Sequence, residues 1–478
     1  MLQDVGVSMN RCMIVAGLTL VFCGLASAAL TERIHKVADP QKFSEYSINI
    51  VEPGSGAVIY SHNAHKPLIP ASNMKLVSTA AALKYLGPGF EYNTRVGLSN
   101  GTIVVIGSGD PILGDKDTDA KYGRPSGWAF EKITQALRER GVTEVNDIIV
   151  DTTVFDDERV HPSWKPAELN RAYAAEVCGL NYNLNCIELT GANLGGSVTL
   201  QVEPRTSFVQ MTNQVKAVST GGRGIGSYRT TQPNRIVVFG EVRTKEGPVK
   251  VAIEKPAGFF GFLLAEHLAR SGIAARGKLI ERAFSESEGF TPLVELVTPL
   301  KDVVNRANTD SLNLAAEALL KTIAAQGNPD GRNGSWAGGR QMIARYLTSL
   351  GIPAQEFSID DGCGLSRENR LTTHLISRLL LDQYRGGNWE LFKVSLAVGG
   401  EEGTIDRYFN EPRYRGKIHG KTGYISGVRA FSGVCLTDRG PYLFSILSNG
   451  PKSLTRDAIN GVAMAIIDEY RGASESGR

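Results

Sequence analysis

The feature that most limits the fold is a change of texture along the chain. Between about Glu91 and Pro292 the sequence runs as short β-branched stretches, among them Thr102 to Ile106, Asp147 to Val150, Ser197 to Val202 and Arg235 to Phe239. Gly, Asn and Pro part them, which predicts mostly β material. Helical periodicity interrupts it at Ser126 to Arg140 and Gly261 to Ser271. The flanks read differently. Ahead lie a hairpin, Glu45 to Val51 and Ala57 to Tyr60 about the Pro53-Gly54-Ser55-Gly56 turn, and a helix from about Ser72 to Tyr85 closed by Gly87-Pro88-Gly89. Behind lie helices at Ser311 to Ala325, Trp336 to Leu350 and Thr373 to Tyr384. Strands Val428 to Leu436 and Tyr442 to Ser448 follow, then a helix Thr455 to Tyr470 and a frayed tail, Gly472 to Arg478. The simplest organisation is one α+β domain, residues 29–90 and 296–471, interrupted by a large insertion, 91–295.

The 478 residues, 42% hydrophobic, are enough for two to four globular units at roughly 100 to 200 residues each. A net charge of only +3, spread along the chain, provides no Lys/Arg stripe and argues against a nucleic-acid partner.

Arg11, an apolar run from Met13 to Leu25 and then Ala26-Ser27-Ala28 have the pattern of a secretory leader, residues 1–28, cleaved after Ala28. The run falls short of the roughly 20 residues that span a bilayer, so at most a loose membrane association is expected. Cys23 follows the bulky Phe22, which disfavours lipoprotein processing. The expected location is therefore the periplasm or the cell exterior. Loss of the leader leaves Cys178, Cys186, Cys363 and Cys435 in a compartment that permits disulfides. Cys178 and Cys186 pair, or all four are buried thiols; the sequence leaves both open. No C-x-x-C, H-E-x-x-H or Gly-x-Ser-x-Gly is present, the seven histidines are scattered, and Gly107-x-Gly109 is a lone turn. No metal or organic cofactor is expected.

Three short motifs carry chemistry: Ser72-Asn73-Met74-Lys75, Ser311-Leu312-Asn313 and Lys421-Thr422-Gly423. Residues three apart on a helix share a face, so Ser72 and Lys75 place a hydroxyl beside an amine at a helix start, a nucleophile beside a base. Lysine takes a proton near neutral pH only if burial or a nearby cation lowers its pKa, and Lys421 is the expected cation. Ser311 reads as a helix cap with Asn313 aimed into the same cleft, or as an ordinary N-cap and nothing more. Gly420 ahead of Lys421 lets a substrate backbone lie against the strand edge.

With Pro70-Ala71, Asn308, Glu317, Asp361 to Arg367, Glu402-Gly403-Thr404, Gly427-Val428 and Ser432-Gly433 added, the chain resembles the penicillin-binding proteins and serine β-lactamases. The interval from Ser72 to Ser311 is far longer than in a class A β-lactamase. It resembles instead the class C low-molecular-mass penicillin-binding proteins, D-alanyl-D-alanine carboxypeptidases and endopeptidases of the DacB type. Gly107 to Pro111, Val150 to Phe155 and Leu180 to Asn185 look like that group as well.

The resemblance implies a penicillin-recognising, transpeptidase-like α+β fold whose antiparallel sheet is flanked by helices, with two smaller domains in the insertion, the second roughly 165–250. It implies a serine DD-peptidase acting on peptidoglycan stem peptides through a Ser72 acyl-enzyme and acylated by β-lactams. Lys75 would be the base and Ser311 the proton relay. Asn313 would position the peptide, Lys421 and Thr422 would bind the terminal carboxylate, and Gly423 and Tyr424 would border the acyl site. The backbone N–H groups of Ser72 and Tyr424 would hold the oxyanion. It also implies that Asp151 meets the free amine of the stem peptide's diamino acid. The residues alone favour Asp151 capping a turn through Thr153. Two features depart from the family: Cys363 where serine is common, and Tyr424 where a small hydroxyl residue is common. A β-lactamase and a catalytically idle peptidoglycan-binding scaffold are the rival readings, the latter opposed by the joint presence of all three motifs.

Overall fold

The computed structural model describes residues 28–38, 45–451 and 453–472. The leader up to residue 27 and residues 473–478 of the expected tail lie outside the described residues.

A six-stranded antiparallel sheet organises the two flanks. Its order is Ala397–Val398, Ile418–Ile425, Val428–Thr437, Gly440–Asn449, Glu45–Glu52, Ala57–His62. Chain start and chain end thus share one sheet, because Glu45–Glu52 pairs with Gly440–Asn449. Strand alternation sends Phe444 and Ile446 to one face and Leu443 and Leu447 to the other. The helix at residues 28–38 and the helix Arg456–Glu469 cover the first face through Leu30, Ile34, Val462 and Ile466. Buried on both sides, the central strands read as nearly continuous apolar runs.

Helices Met74–Leu86, Leu300–Asn308, Asn313–Gln326, Trp336–Ser349 and Thr373–Arg385 contribute to the core on the second face. Met74–Leu86 is the innermost: Met74 to Leu83 are all buried. Neighbours enclose it, and Ala80, Ala81 and Ala82 let them approach closely. Hydroxyls start two of these helices. Thr372 Oγ1 accepts from Leu375 N at 3.0 Å and Ser335 Oγ from Gly338 N at 3.0 Å.

The insertion carries a five-stranded mixed sheet, ordered Leu279–Glu281, Ile148–Asp151, Thr102–Ile106, Glu91–Ser99, Thr291–Pro299, with helices Trp128–Glu139 and Pro256–Arg270 against it. Two three-stranded sheets follow, one of Gly224–Arg229, Arg235–Val242 and Gln210–Ala217, the other of Lys245–Ala252, Cys186–Leu194 and Ser197–Glu203. Cys178, Cys186, Cys363 and Cys435 are all free and buried, so the pairing of Cys178 with Cys186 is not made. No helix among the described residues is long and apolar enough to cross a membrane.

Candidate active site

Ser72 lies in a short 3-10 turn, Ala71–Asn73, that leads into helix Met74–Leu86, so it precedes the α-helix that the sequence began at Ser72 itself. Ala71 sits at φ 45°. The turn is held from two sides. Asn73 Nδ2 donates to Lys421 O at 2.7 Å, and Ser432 Oγ donates to Asn73 Oδ1 at 2.6 Å. These bonds tie Ser72 to the strand that carries the third motif. On the other side Gly364, at φ 85°, packs so tightly that an added Cβ would fall 1.8 Å from Ala71 O.

One turn along, Lys75 is completely buried. Its Nζ donates to Ser72 Oγ at 3.1 Å, Asn313 Oδ1 at 2.7 Å and Cys363 O at 2.9 Å, which uses all three ammonium donors. Burial holds its pKa below the usual lysine range, against the opposing pull of Cys363, Asp361 and Glu317. Those two carboxylates are saturated. Glu317 accepts from Gly362 N, Cys363 N and Trp336 Nε1 at 3.0, 2.7 and 2.7 Å. Asp361 accepts from Gly364 N, Ser366 N, Asn369 Nδ2 and Trp164 Nε1 at 2.8, 2.7, 2.7 and 3.0 Å. Together they fix the loop that presents the Cys363 carbonyl to Lys75. Burial and the adjacent carboxylates push the Cys363 thiol well up, so it is not a nucleophile at neutral pH. Glu317 and Asp361 stood within the recognised motifs, but no local pattern assigned either of them this part.

Ser311 does not cap a helix. Helix Leu300–Asn308 ends, Ser311 takes a left-handed backbone at φ 61°, and the next helix, Asn313–Gln326, begins after Leu312 with no side-chain cap. The conformation costs a serine about 1–2 kcal/mol. It is over-determined: Leu312 N donates to Arg306 O at 3.0 Å, and Arg306 grips Asp310 at 2.6 Å and Asp115 of the insertion at 2.9 Å. The turn lets Ser311 Oγ accept from Lys421 Nζ at 2.9 Å, while Asn313, whose Oδ1 meets Lys75, donates through Nδ2 to Tyr173 O at 2.7 Å.

Lys421 is also completely buried, and its other partner is Thr422 O at 2.9 Å. Burial pushes its pKa well below the usual value, Lys75 adds repulsion and Asp310 opposes it. The sequence expected Lys421 to depress Lys75. In the structure desolvation is the main cause at both lysines, with Cys363, Asp361 and Glu317 opposing it at Lys75 and Asp310 at Lys421.

A cleft of about 590 Å³ opens over these groups, lined by Ser72, Ser311, Asn313 and Tyr424, by Trp164 and Tyr173 of the insertion, and by Leu365 and Arg367. Tyr424 is 63% exposed under the Arg429 guanidinium, 4.8 Å from its ring centre. Lys421 does not line the cleft and reaches it only through Ser311. Thr422 Oγ1 donates to Thr404 Oγ1 at 2.9 Å beside a smaller pocket shared with Gly423 and Tyr424. Gly423 keeps the strand against the turn: a Cβ there would lie 2.9 Å from Pro70 O and 3.1 Å from Ser72 N. A larger cavity, about 740 Å³, lies within the insertion between Phe130, Tyr182 and Arg205 and holds none of the motif residues.

Asp151 is the residue expected to meet the free amine of the stem peptide's diamino acid. It ends the strand Ile148–Asp151 at 1% exposure and does not line the cleft. Oδ1 accepts from Thr153 N at 2.9 Å and Thr153 Oγ1 at 2.6 Å, Oδ2 accepts from Phe284 N at 2.9 Å, and Arg332 stands 3.6 Å away. As the residues alone had favoured, Asp151 caps the turn through Thr153, and the loop after strand Leu279–Glu281 closes over it through Phe284.

Comparison with known proteins places this geometry. The model of the D-Ala-D-Ala carboxypeptidase 3 (S13) family matches residues 29–468. A D-alanyl-D-alanine carboxypeptidase of an Actinomadura species is 26% identical over 457 residues, covering 88% of this chain and 81% of its own. Carboxypeptidase DacB of Mycolicibacterium smegmatis is 25% identical over 432 residues, covering 87% and 79%. Among solved structures, penicillin binding protein 4 (dacB) of Haemophilus influenzae has the same fold, with a TM-score of 0.76 at 20% identity over 92% of this chain and 99% of that one.

Proposed function

From the premise that this chain belongs to the D-Ala-D-Ala carboxypeptidase 3 (S13) family and is a serine DD-peptidase, we propose that Ser72 is its nucleophile and Lys75 its base. The observation that carries the assignment is the buried amine of Lys75, 3.1 Å from Ser72 Oγ and held below the usual lysine pKa. Neutral Lys75 accepts the Ser72 proton as Oγ adds to the carbonyl of the penultimate D-alanine. The N–H groups of Ser72 and Tyr424 bind the oxyanion. Ser311 relays the proton that Lys75 has taken to the departing D-alanine amine as the C–N bond breaks; Lys75, neutral again, then takes a proton from the water that adds to the ester and returns it to Ser72 Oγ as the acyl group leaves. Asn313 orients the peptide, and Thr422 and Gly423 border the site. Lys421, enclosed as it is, acts on the terminal carboxylate by its charge and through Ser311, with Thr422 beside it.

The substrates in this reading are peptidoglycan stem peptides and their D-alanyl-diaminopimelate cross-links, and β-lactams are covalent inhibitors; a solved complex of the Haemophilus influenzae protein is described as bound to a novel β-lactam. We also read the chain as exported with its leader cleaved after Ala28, and the 91–295 insertion as two smaller domains, supported by its separate five-stranded and three-stranded sheets. Incubation with penicillin followed by peptide mass mapping tests the assignment: the adduct is expected on Ser72 and is lost in Ser72→Ala. An adduct elsewhere, or undiminished labelling of the variant, refutes it. Muropeptide mass analysis then separates loss of one D-alanine from conversion of dimers to monomers.

A further inference from the structure

The geometry points to a divalent transition-metal site, of the kind zinc occupies, formed by His65, Glu356 and His374 on the peptidase domain. The three come from distant segments: the loop after strand Ala57–His62, a short 3-10 turn at Ala354–Glu356, and the second residue of helix Thr373–Arg385. One ligand atom of each lies within 4.8 Å of the other two. His65 Nδ1 is 2.8 Å from Glu356 Oε1, and His374 Nδ1 is 2.9 Å from Glu356 Oε2.

The donor set has the composition of a metal site. Two imidazole nitrogens and one carboxylate suit a borderline ion and leave a fourth, open position for water. A single oxygen-donor residue is too few for calcium or magnesium. The two rings lie 4.4 Å apart, centre to centre, on one carboxylate. An outer shell is also in place. Thr372 Oγ1 donates to Glu356 Oε2 at 2.6 Å, and His374 N donates to Ala64 O at 2.9 Å, which clamps the His65 loop onto the helix. Entry is open, since His65 is 69% exposed while His374 is 26% and Glu356 6% exposed.

The movement required is small. Bonds of about 2.1 Å at a tetrahedral centre put neighbouring ligand atoms roughly 3.4 Å apart. The His374–Glu356 Oε2 pair therefore opens by about half an ångström, and the exposed His65 ring swings from Oε1 toward the same centre. Each ring moves its proton from Nδ1 to Nε2, or releases it if charged, so that Nδ1 presents a lone pair.

The test uses the full-length protein freed of metal with EDTA and titrated with zinc alone, then with cobalt for its d–d absorption. One ion per chain, a rise in Tm of about 3 °C on saturation, and at least tenfold weaker binding in both His65→Ala and His374→Ala are expected. Calcium and magnesium should leave Tm unchanged. His65→Ala alters an exposed side chain, and penicillin acylation, which depends on groups the trio does not touch, reports that the variant is folded. Zinc binding of equal affinity in wild type and folded His65→Ala, or no binding by the wild type, overturns the assignment and leaves the Ser72 reading untouched.

Discussion

Replacing Lys75 by alanine separates catalysis from architecture. The change removes a completely buried amine with three acceptors, Ser72 Oγ, Asn313 Oδ1 and Cys363 O. A positioned base contributes typically about 100- to 10,000-fold to a proton-transfer step, or ~2.7 to 5.4 kcal/mol of barrier. Stability changes through other groups. Asn313 Oδ1 and the Cys363 carbonyl lose their donor at about 1–3 kcal/mol each, and Glu317 and Asp361 lose a neighbouring cation. Against this, the desolvation of a buried ammonium disappears. Asn313 stays anchored to Tyr173 O. The variant is therefore expected to fold with a lowered Tm and to acylate at least 100-fold more slowly. The assay is the pseudo-first-order rate of labelling by a fluorescent penicillin, beside a thermal melt. The pH profile gives a second readout. Burial lowers the Lys75 pKa from 10.5, so the base form grows as pH rises and the wild-type rate climbs and levels below that value. The variant lacks this limb. A folded Lys75→Ala that acylates within a factor of two of wild type, or keeps the same pH limb, refutes Lys75 as the base.

Gly423→Ala places a Cβ 2.9 Å from Pro70 O and 3.1 Å from Ser72 N, so the Ser72 turn must shift; acylation is expected to fall by more than tenfold with a smaller change in Tm, as read by labelling and melting. Asp151→Asn sets an amide N–H₂ against either Thr153 N or Phe284 N, a loss of about 1–3 kcal/mol in stability, with equal effects on penicillin and on a diaminopimelate peptide; a loss confined to the peptide would restore the substrate-contact role. Asp119, buried and held up to about 7, and Asp110, held up to about 6, keep protons that the unfolded chain releases near 3.8. Their contribution is fully present below that pH and is lost as pH rises through 6 to 7, so Tm measured from pH 4 to 7 should fall less in Asp119→Asn than in wild type.

Much of the reading was local and therefore legible. Hydrophobic periodicity marked the helices at Trp336–Ser349 and Thr373–Arg385 and the strand Val428–Thr437 to within a residue or so, because helix and strand periods are set by neighbouring residues. The Ser72–Lys75 pairing is likewise a three-residue spacing. What required the folded chain was convergence. The left-handed Ser311 depends on the Arg306 clamp to the insertion, Phe284 closes over Asp151, and Met74–Leu86 is enclosed by its neighbours. The acidity of Lys75 and Lys421 has the same origin. Desolvation and charge–charge energies depend on how much water and which carboxylates surround a group, and packing between segments hundreds of residues apart sets both. His65, Glu356 and His374 form no motif in sequence and meet only because the loop after strand Ala57–His62 and two later segments fold together.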